Sequence, residues 1–213
     1  ARQLRIEWHK LPQPMELRIS RLRAVKSKLP SGRYVVLVTL YDRLGGNPVK
    51  WTKIGFGGGG GDTSRPGATT AVRHRGRYYD TEVDFNQCIY AVAPSQADLR
   101  PSHVFIFELF LLGGRSNPID RVVAWTALPA CDRDFQVVWG RYKLPLLRGE
   151  VDLAIDKYKL LENAVERDLD NWLANMYIEV SLRPHTAAPP RRAATQRDAP
   201  DVLRPRAGGA PTP

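Results

Sequence analysis

Cysteines, long apolar runs and metal-ligand motifs are scarce in this sequence, and each shortage excludes a class of protein. The only cysteines, Cys88 and Cys131, have no Cys-x-x-Cys spacing, which excludes a disulfide-stapled scaffold and a cysteine-based zinc module and favours a reducing compartment. The longest strongly apolar run, residues 104–112, contains Glu108 and is far shorter than the roughly 20 residues that span a bilayer. We therefore expect a soluble or peripheral protein of the cytoplasm.

Catalytic and cofactor motifs are missing as well. The four histidines are scattered without metal-ligand spacing, and no Ser or Cys has the context of a nucleophile elbow. The glycine-rich run 55–61 is followed by Asp62-Thr-Ser-Arg-Pro66, which offers neither a Walker lysine nor a clean helix start, so we interpret it as a flexible loop. The sequence predicts a protein that is not an enzyme and has no cofactor or metal site.

Positive charge is the main functional signal that is present. The 213 residues include 32 Lys/Arg and 22 Asp/Glu, a formal net charge of +10, and residues 1–50 alone hold 11 basic and 3 acidic side chains. A basic excess favours an anionic partner. The candidate partner-binding residues fall into one hairpin and one cluster mixed with tyrosines: Arg18, Arg21, Arg23, Lys26, Lys28, Arg33, Arg73, Arg75 and Arg77.

Strand alternation limits how much of this charge can form one patch. It predicts Arg21 and Arg23 on one face of a strand and Arg18 on the other. The alternative to a binding patch is a solvated sheet face, and both interpretations stay open at this point.

The apolar spacing before residue 183 is mostly that of β-strands. Alternating or β-branched runs predict strands at 4–8, 17–25, 34–41, 82–92, 103–112, 121–128 and 176–182, with a hairpin turn at 44–48 that leads into 51–54. Residues 152–173 differ, because apolar side chains recur there at three and four residues, which predicts an amphipathic helix with an acidic outer face. The predicted fold is all-β: an eight-stranded antiparallel sandwich with one amphipathic helix before the last strand.

Composition divides the chain into three parts. Residues 1–14 are predicted to be an N-terminal extension and residues 15–183 the β-sandwich domain. Residues 184–213 are rich in Pro, Ala and Arg with almost no large apolar side chain, which predicts a disordered tail or linker.

The order of these segments resembles that of a C2 domain. Residues 17–25, the loop 26–32 and residues 33–40 look like the first two strands of that family, in which a Gly precedes a Tyr-Val-x-Val run. Residues 103–110, 111–120 and 121–128 look like its later strand, loop and strand. The resemblance covers residues 15 to about 182 and implies the C2-like sandwich.

Calcium binding is not part of what this resemblance implies here. In C2 domains that bind calcium, carboxylates of two facing loops converge on the metal, which needs several charged oxygen ligands. Loop 26–32 offers two lysines and no acid, and loop 113–120 offers Arg115 and a single Asp120. We expect a calcium-independent domain in which Asp120 accepts turn hydrogen bonds or pairs with an arginine.

The segments 142–149 and 170–180 also resemble C2-type modules of large ciliary and axonemal proteins. That resemblance implies a protein-interaction or scaffolding module within a larger protein of the cilium or flagellum, with other axonemal or cytoskeletal proteins, tubulin among them, as partners. Peripheral binding to anionic membrane lipids is one alternative. RNA or ribosome binding is the other, and nucleic acid is less favoured because the charge is concentrated in a hairpin and a tail.

Overall fold

Ten β-strands and one α-helix form the part of the chain that the computed structural model describes, residues 10–49, 52–53, 67–114 and 118–182. The long strands are β1 (Gln13–Arg23), β2 (Gly32–Tyr41), β6 (Glu82–Ala93), β7 (Val104–Leu112), β8 (Arg121–Pro129), β9 (Gly140–Arg148) and β10 (Trp172–Leu182). The short strands are β3 (Thr52–Lys53), β4 (Gly67–Ala68) and β5 (Val72–His74). Helix α1 (Tyr158–Arg167) and a 3₁₀ turn (Leu169–Asn171) precede β10.

All strand pairs are antiparallel, and the sheet bends back on itself into two layers. The strand order is β3-β6-β1-β10-β9-β8-β7-β2-β4, with β5 also paired to β2. Strands β8 and β9 share only two residue pairs, Ala124 with Arg148 and Trp125 with Leu147. One buried cluster contains side chains from both sides of this short junction, so β6-β1-β10-β9 faces β8-β7-β2 across the main core. The all-β prediction is confirmed.

Alternating apolar residues fill that core because every second side chain of a strand points to the same face. In β2, Tyr34, Val36, Val38 and Leu40 are fully buried and the residues between them are not.

A second, smaller core lies on the outer face of β7 and β8. There Val104, Ile106 and Trp125 pack with Leu161 of α1, while the alternate residues of β7 point into the main core. Strand β7 therefore packs against apolar side chains on both faces, which explains why Glu108 is the one polar residue of its sequence.

The predicted helix forms, but it is shorter than the apolar spacing indicated. Helix α1 covers ten residues, whereas the prediction covered 152–173. Before it, the Asp152 carboxylate accepts from the backbone N–H of Ala154 at 2.9 Å, and after it Asp168 accepts from Asp170 N–H at 2.9 Å. Aspartates that bond nearby backbone groups favour turns over helix, so both ends of the predicted helix are turns, and Leu169 is exposed.

Two strand predictions need correction. The turn after β2 forms as predicted, with the Val49 N–H donating to Leu40 O at 2.7 Å, but β3 then pairs with β6 instead of β2. Strand β9 was not predicted because Pro145 interrupts its pattern. Proline is tolerated there because β9 pairs with β8 only at residues 147–148, which leaves the Pro145 position without a described partner strand on that side.

Several sequence predictions lie outside the described residues: the strand at 4–8, most of the extension 1–14, the glycine run 55–61 and the tail 184–213. Within the described residues, no helix combines the length and the apolar character needed to cross a membrane.

Candidate functional site

Three of the predicted partner-binding cations lie on one exposed face of β1, which corrects the sequence prediction. Arg18, Arg21 and Arg23 are all exposed, although alternation placed Arg18 opposite the other two. The register of β1 against both β6 and β10 shifts between Ile19 and Arg21. This β-bulge inserts one extra residue and reverses the alternation after it, so the three guanidinium groups share the outer face of the sheet.

Carboxylates from the same sheet surround these three arginines. The ion pairs are Arg21 Nη1–Glu82 Oε2 at 3.0 Å, Arg23 Nε–Glu82 Oε1 at 2.6 Å, Arg21 Nε–Asp84 Oδ1 at 3.7 Å and Arg18 Nη2–Glu16 Oε1 at 3.8 Å. We call this surface the paired sheet face. Because its positive charge is largely compensated locally, it is a weak attractor for an external anion.

Glu82 should make the stability of the domain sensitive to acid. The hydrogen bond from Arg23 and then that from Arg21 lower the pKa of Glu82 below its usual 4.5. A depressed carboxyl pKa stabilises the fold above the unfolded-state value, and this stabilisation is lost as pH falls through the folded-state pKa. We expect Glu82→Gln to lower Tm by at most about 3 °C at neutral pH, because the pair is exposed.

Thermal unfolding of the wild type and the Glu82→Gln variant from pH 7 down to pH 2 tests this prediction. The difference in Tm should begin to shrink below about pH 4.5, where the unfolded-state carboxyl takes up its proton, and should vanish once the pH has fallen through the lower folded-state pKa. A difference that stays constant over the whole range would contradict the assignment to the Glu82 charge.

The remaining six predicted cations come together at one end of the sandwich. Pairing of β5 with β2 places Arg73 directly opposite Arg33. Gly76 has a left-handed φ of +69°, and a Cβ there would lie 2.9 Å from the Ser31 backbone nitrogen, so the loop after β5 packs closely on the loop after β1. The backbone N–H of Val25 also donates to Thr81 O at 3.3 Å. Two clusters that are far apart in sequence thus form one surface.

Two further arginines, which sequence reasoning missed, belong to this surface. Arg121 begins β8 directly after the loop 113–120, and Arg148 ends β9, the strand that was not predicted. We call the whole surface the cationic end; its members are Lys26, Lys28, Arg33, Arg73, Arg75, Arg77, Arg121 and Arg148. In the part of the chain that the structure describes, none of these side chains forms an ion pair with a carboxylate. In the sequence, the signal for Arg121 and Arg148 is that each is a basic residue at the end of a strand, next to a turn.

Exposed apolar and aromatic side chains stand among these cations. Tyr78 and Tyr79 are 73% and 68% exposed, and Ile119, in the neighbouring loop after β7, is 72% exposed. The Lys26 ammonium lies 3.7 Å from the centroid of the Tyr78 ring, and Arg77 Nη1 donates to the Tyr79 hydroxyl at 2.7 Å. The cationic end is therefore amphipathic.

Asp120 is engaged by a backbone hydrogen bond and not, among the described residues, by an arginine. The Asp120 carboxylate accepts from the Gly113 backbone N–H at 2.6 Å, so this oxygen closes its own loop, as expected. No three His, Cys, Asp or Glu side chains of the described residues are grouped as metal ligands would be.

The two cysteines are held as protonated thiols. The Cys88 thiol, half-buried in β6, donates to Glu16 Oε1 at 2.8 Å, and burial together with that carboxylate raises the pKa of Cys88. Burial also raises the pKa of Cys131. Because the thiolate is the reactive form, neither side chain has the character of a nucleophile.

Comparison with known proteins adds a likeness in fold. No protein-family model and no curated protein sequence matches this chain. A solved structure that it resembles is the C2 domain designated A of a plant extended synaptotagmin 1, with 12% sequence identity, 82% of this chain and 96% of that chain covered, and a TM-score of 0.46. The described residues form an antiparallel sandwich with one helix before its last strand.

Proposed function

We propose that this chain is a non-catalytic, calcium-independent C2-like module that docks on anionic membrane surfaces through its cationic end. The observation that carries the proposal is the grouping at the cationic end of exposed Tyr78, Tyr79 and Ile119 with cations that form no ion pair with a carboxylate of the described residues. Each Lys or Arg near an anionic leaflet contributes about 1 kcal/mol of attraction. Tyrosine rings add apolar burial at the headgroup level while their hydroxyls stay hydrated.

The charges of the two facing loops support calcium independence. In a calcium-dependent site, carboxylates hold a metal ion that in turn attracts anionic lipid. Here Lys26, Lys28 and Arg121 already place fixed positive charge at that end, so the attraction needs no metal.

Vesicle binding of the full chain tests this function. We expect binding to phosphatidylcholine vesicles that contain phosphatidylserine, in the presence of EDTA, and none to vesicles of phosphatidylcholine alone. Raising the salt from about 0.1 M to about 1 M shortens the screening length from about 10 Å to about 3 Å and should release the protein. Equal binding to both vesicles, or binding that requires calcium, would contradict the proposal.

Docking to other proteins is the second candidate, and the helical region supports it. Leu153, Leu160 and Leu169 are exposed there, beside the acidic side chains that give residues 150–180 their negative charge. The ciliary or axonemal setting, tubulin as a partner, and RNA binding stay predictions. A pull-down of the full chain with tubulin and with RNA at the same two salt concentrations tests them; retention of tubulin without any vesicle binding would favour protein docking.

A further inference from the structure

A hollow of about 250 Å³ opens at the cationic end, between the start of β8, the end of β9 and the loop after β1. It lies next to the short β8–β9 junction, where Ala124 and Arg148 form the last residue pair. Its lining consists of three cations and five apolar residues: Lys28, Leu29, Pro30, Arg121, Val122, Val123, Arg148 and Leu173. No lining residue carries a carboxylate.

Neighbouring groups hold two of these cations in place. The Lys28 ammonium lies 3.7 Å from the centroid of the Trp172 ring, and Arg148 Nε donates to the backbone oxygen of Asp170 at 2.7 Å. The Tyr34 hydroxyl donates to Pro30 O at 2.7 Å, which fixes the loop at the rim of the hollow. Cations that are held before a ligand arrives lose less entropy when it binds.

Positive charges lie close together in this hollow. Burial, and then the charge of Arg148, lower the pKa of Lys28. Burial raises the pKa of Tyr34 to about 12, with the nearby charge of Arg121 acting in the opposite direction. The carboxylate of Asp120, which precedes Arg121 in the chain, accepts from the Gly113 backbone N–H. A bound anion would relieve the repulsion between Lys28 and Arg148.

We propose that this hollow binds a phosphomonoester group, with Lys28, Arg121 and Arg148 as its ligands. The inference deepens the proposed function and rests on it for the lipid source of the ligand. A dianionic phosphate suits three cations better than a single carboxylate does, and the planar guanidinium fork matches phosphate oxygens. The hollow is smaller than a site for a drug-sized molecule; it admits the phosphate group of a small headgroup or of a soluble phosphorylated polyol.

Titration of the full chain with inositol trisphosphate, inorganic phosphate and unphosphorylated inositol tests the site directly. We expect inositol trisphosphate to bind, inositol not to bind, and inorganic phosphate to compete. Lys28→Gln and Arg121→Gln should each weaken inositol trisphosphate binding about tenfold or more, the loss typical of one charge-assisted hydrogen bond. Arg133→Gln removes the same charge from an exposed position in the loop between β8 and β9 and should change affinity less than twofold.

Vesicle binding distinguishes a lipid headgroup from a soluble phosphate as the ligand. It also separates the membrane-docking proposal from the phosphate-site proposal. Tighter binding to vesicles containing a phosphorylated inositol lipid than to phosphatidylserine vesicles of equal charge, lost in Lys28→Gln, would identify the lipid headgroup as ligand. Inositol trisphosphate binding without any vesicle binding would overturn the docking function and leave a soluble phosphate as ligand. Vesicle binding with no response to inositol trisphosphate, or equal losses in Lys28→Gln and Arg133→Gln, would overturn the phosphate site alone. Thermal unfolding of each variant verifies that it is folded.

Discussion

Replacing Arg73, Arg75 and Arg77 together by glutamine is expected to weaken binding to phosphatidylserine vesicles about 100-fold. Each of these cations belongs to the cationic end, and none forms an ion pair with a carboxylate among the described residues. Three charges at about 1 kcal/mol each correspond to a loss of this size. Co-sedimentation over a range of lipid concentrations measures it.

The matched control is the triple variant Arg18→Gln, Arg21→Gln and Arg23→Gln, which removes the same net charge from the paired sheet face. We expect it to weaken vesicle binding less than about tenfold, since charges on another surface act through salt-screened solvent. Its Tm should fall by a few degrees, because the carboxylates of that face lose their partners. If the two triple variants lost affinity equally, total charge and not the cationic end would govern binding.

Trp125→Ala is expected to cost about 3–5 kcal/mol of the free energy of unfolding, the usual range for a buried tryptophan. Trp125 is 2% exposed and forms part of the small core beneath α1, with Val104, Ile106 and Leu161. For a domain of this size the cost corresponds to a fall in Tm of about 10 °C or more. Denaturant unfolding measures the free energy, and hydrogen exchange should show the largest loss of protection in α1.

Trp139→Ala provides the matched control for that substitution. Trp139 is 51% exposed, and the hydrogen bond it accepts from the Tyr142 hydroxyl uses its backbone oxygen, which the substitution keeps. We expect its free energy of unfolding to change by less than about 1 kcal/mol. Equal destabilisation by both variants would mean that the packing of α1 on β7 and β8 does not depend on Trp125.

The local sequence pattern was sufficient to predict the strands in which buried and less buried side chains alternate. In β2 every second residue is fully buried, so a period of two predicts both the strand and its inner face. The pattern failed where neighbours in space decide the outcome. Pro145 made β9 look unsuited to a sheet, yet its position lacks a described partner strand on one side, and the aspartates at 152 and 168 shortened the predicted helix through bonds to their own backbone.

The sequence predicted which cations are candidates for the site, but it did not predict how they are arranged in space. All nine predicted cations occupy the domain surface or its loops, but a bulge after Ile19 moved Arg18 beside Arg21 and Arg23, and carboxylates of β6 then paired with the last two. Ion pairs between β1 and β6 join residues about sixty positions apart, so no local pattern contains them.

The sequence by itself determined the class of this protein: an all-β domain with an excess of positive charge and without a motif for catalysis or metal binding. Residue type and short-range spacing are enough for those conclusions, because strand alternation and net charge are local or additive properties. Only the tertiary structure decided which cations are paired and which gather with Arg121 and Arg148 at the cationic end. That division depends on strand register and loop packing between distant segments, since electrostatic compensation is set by distances of a few ångströms in space.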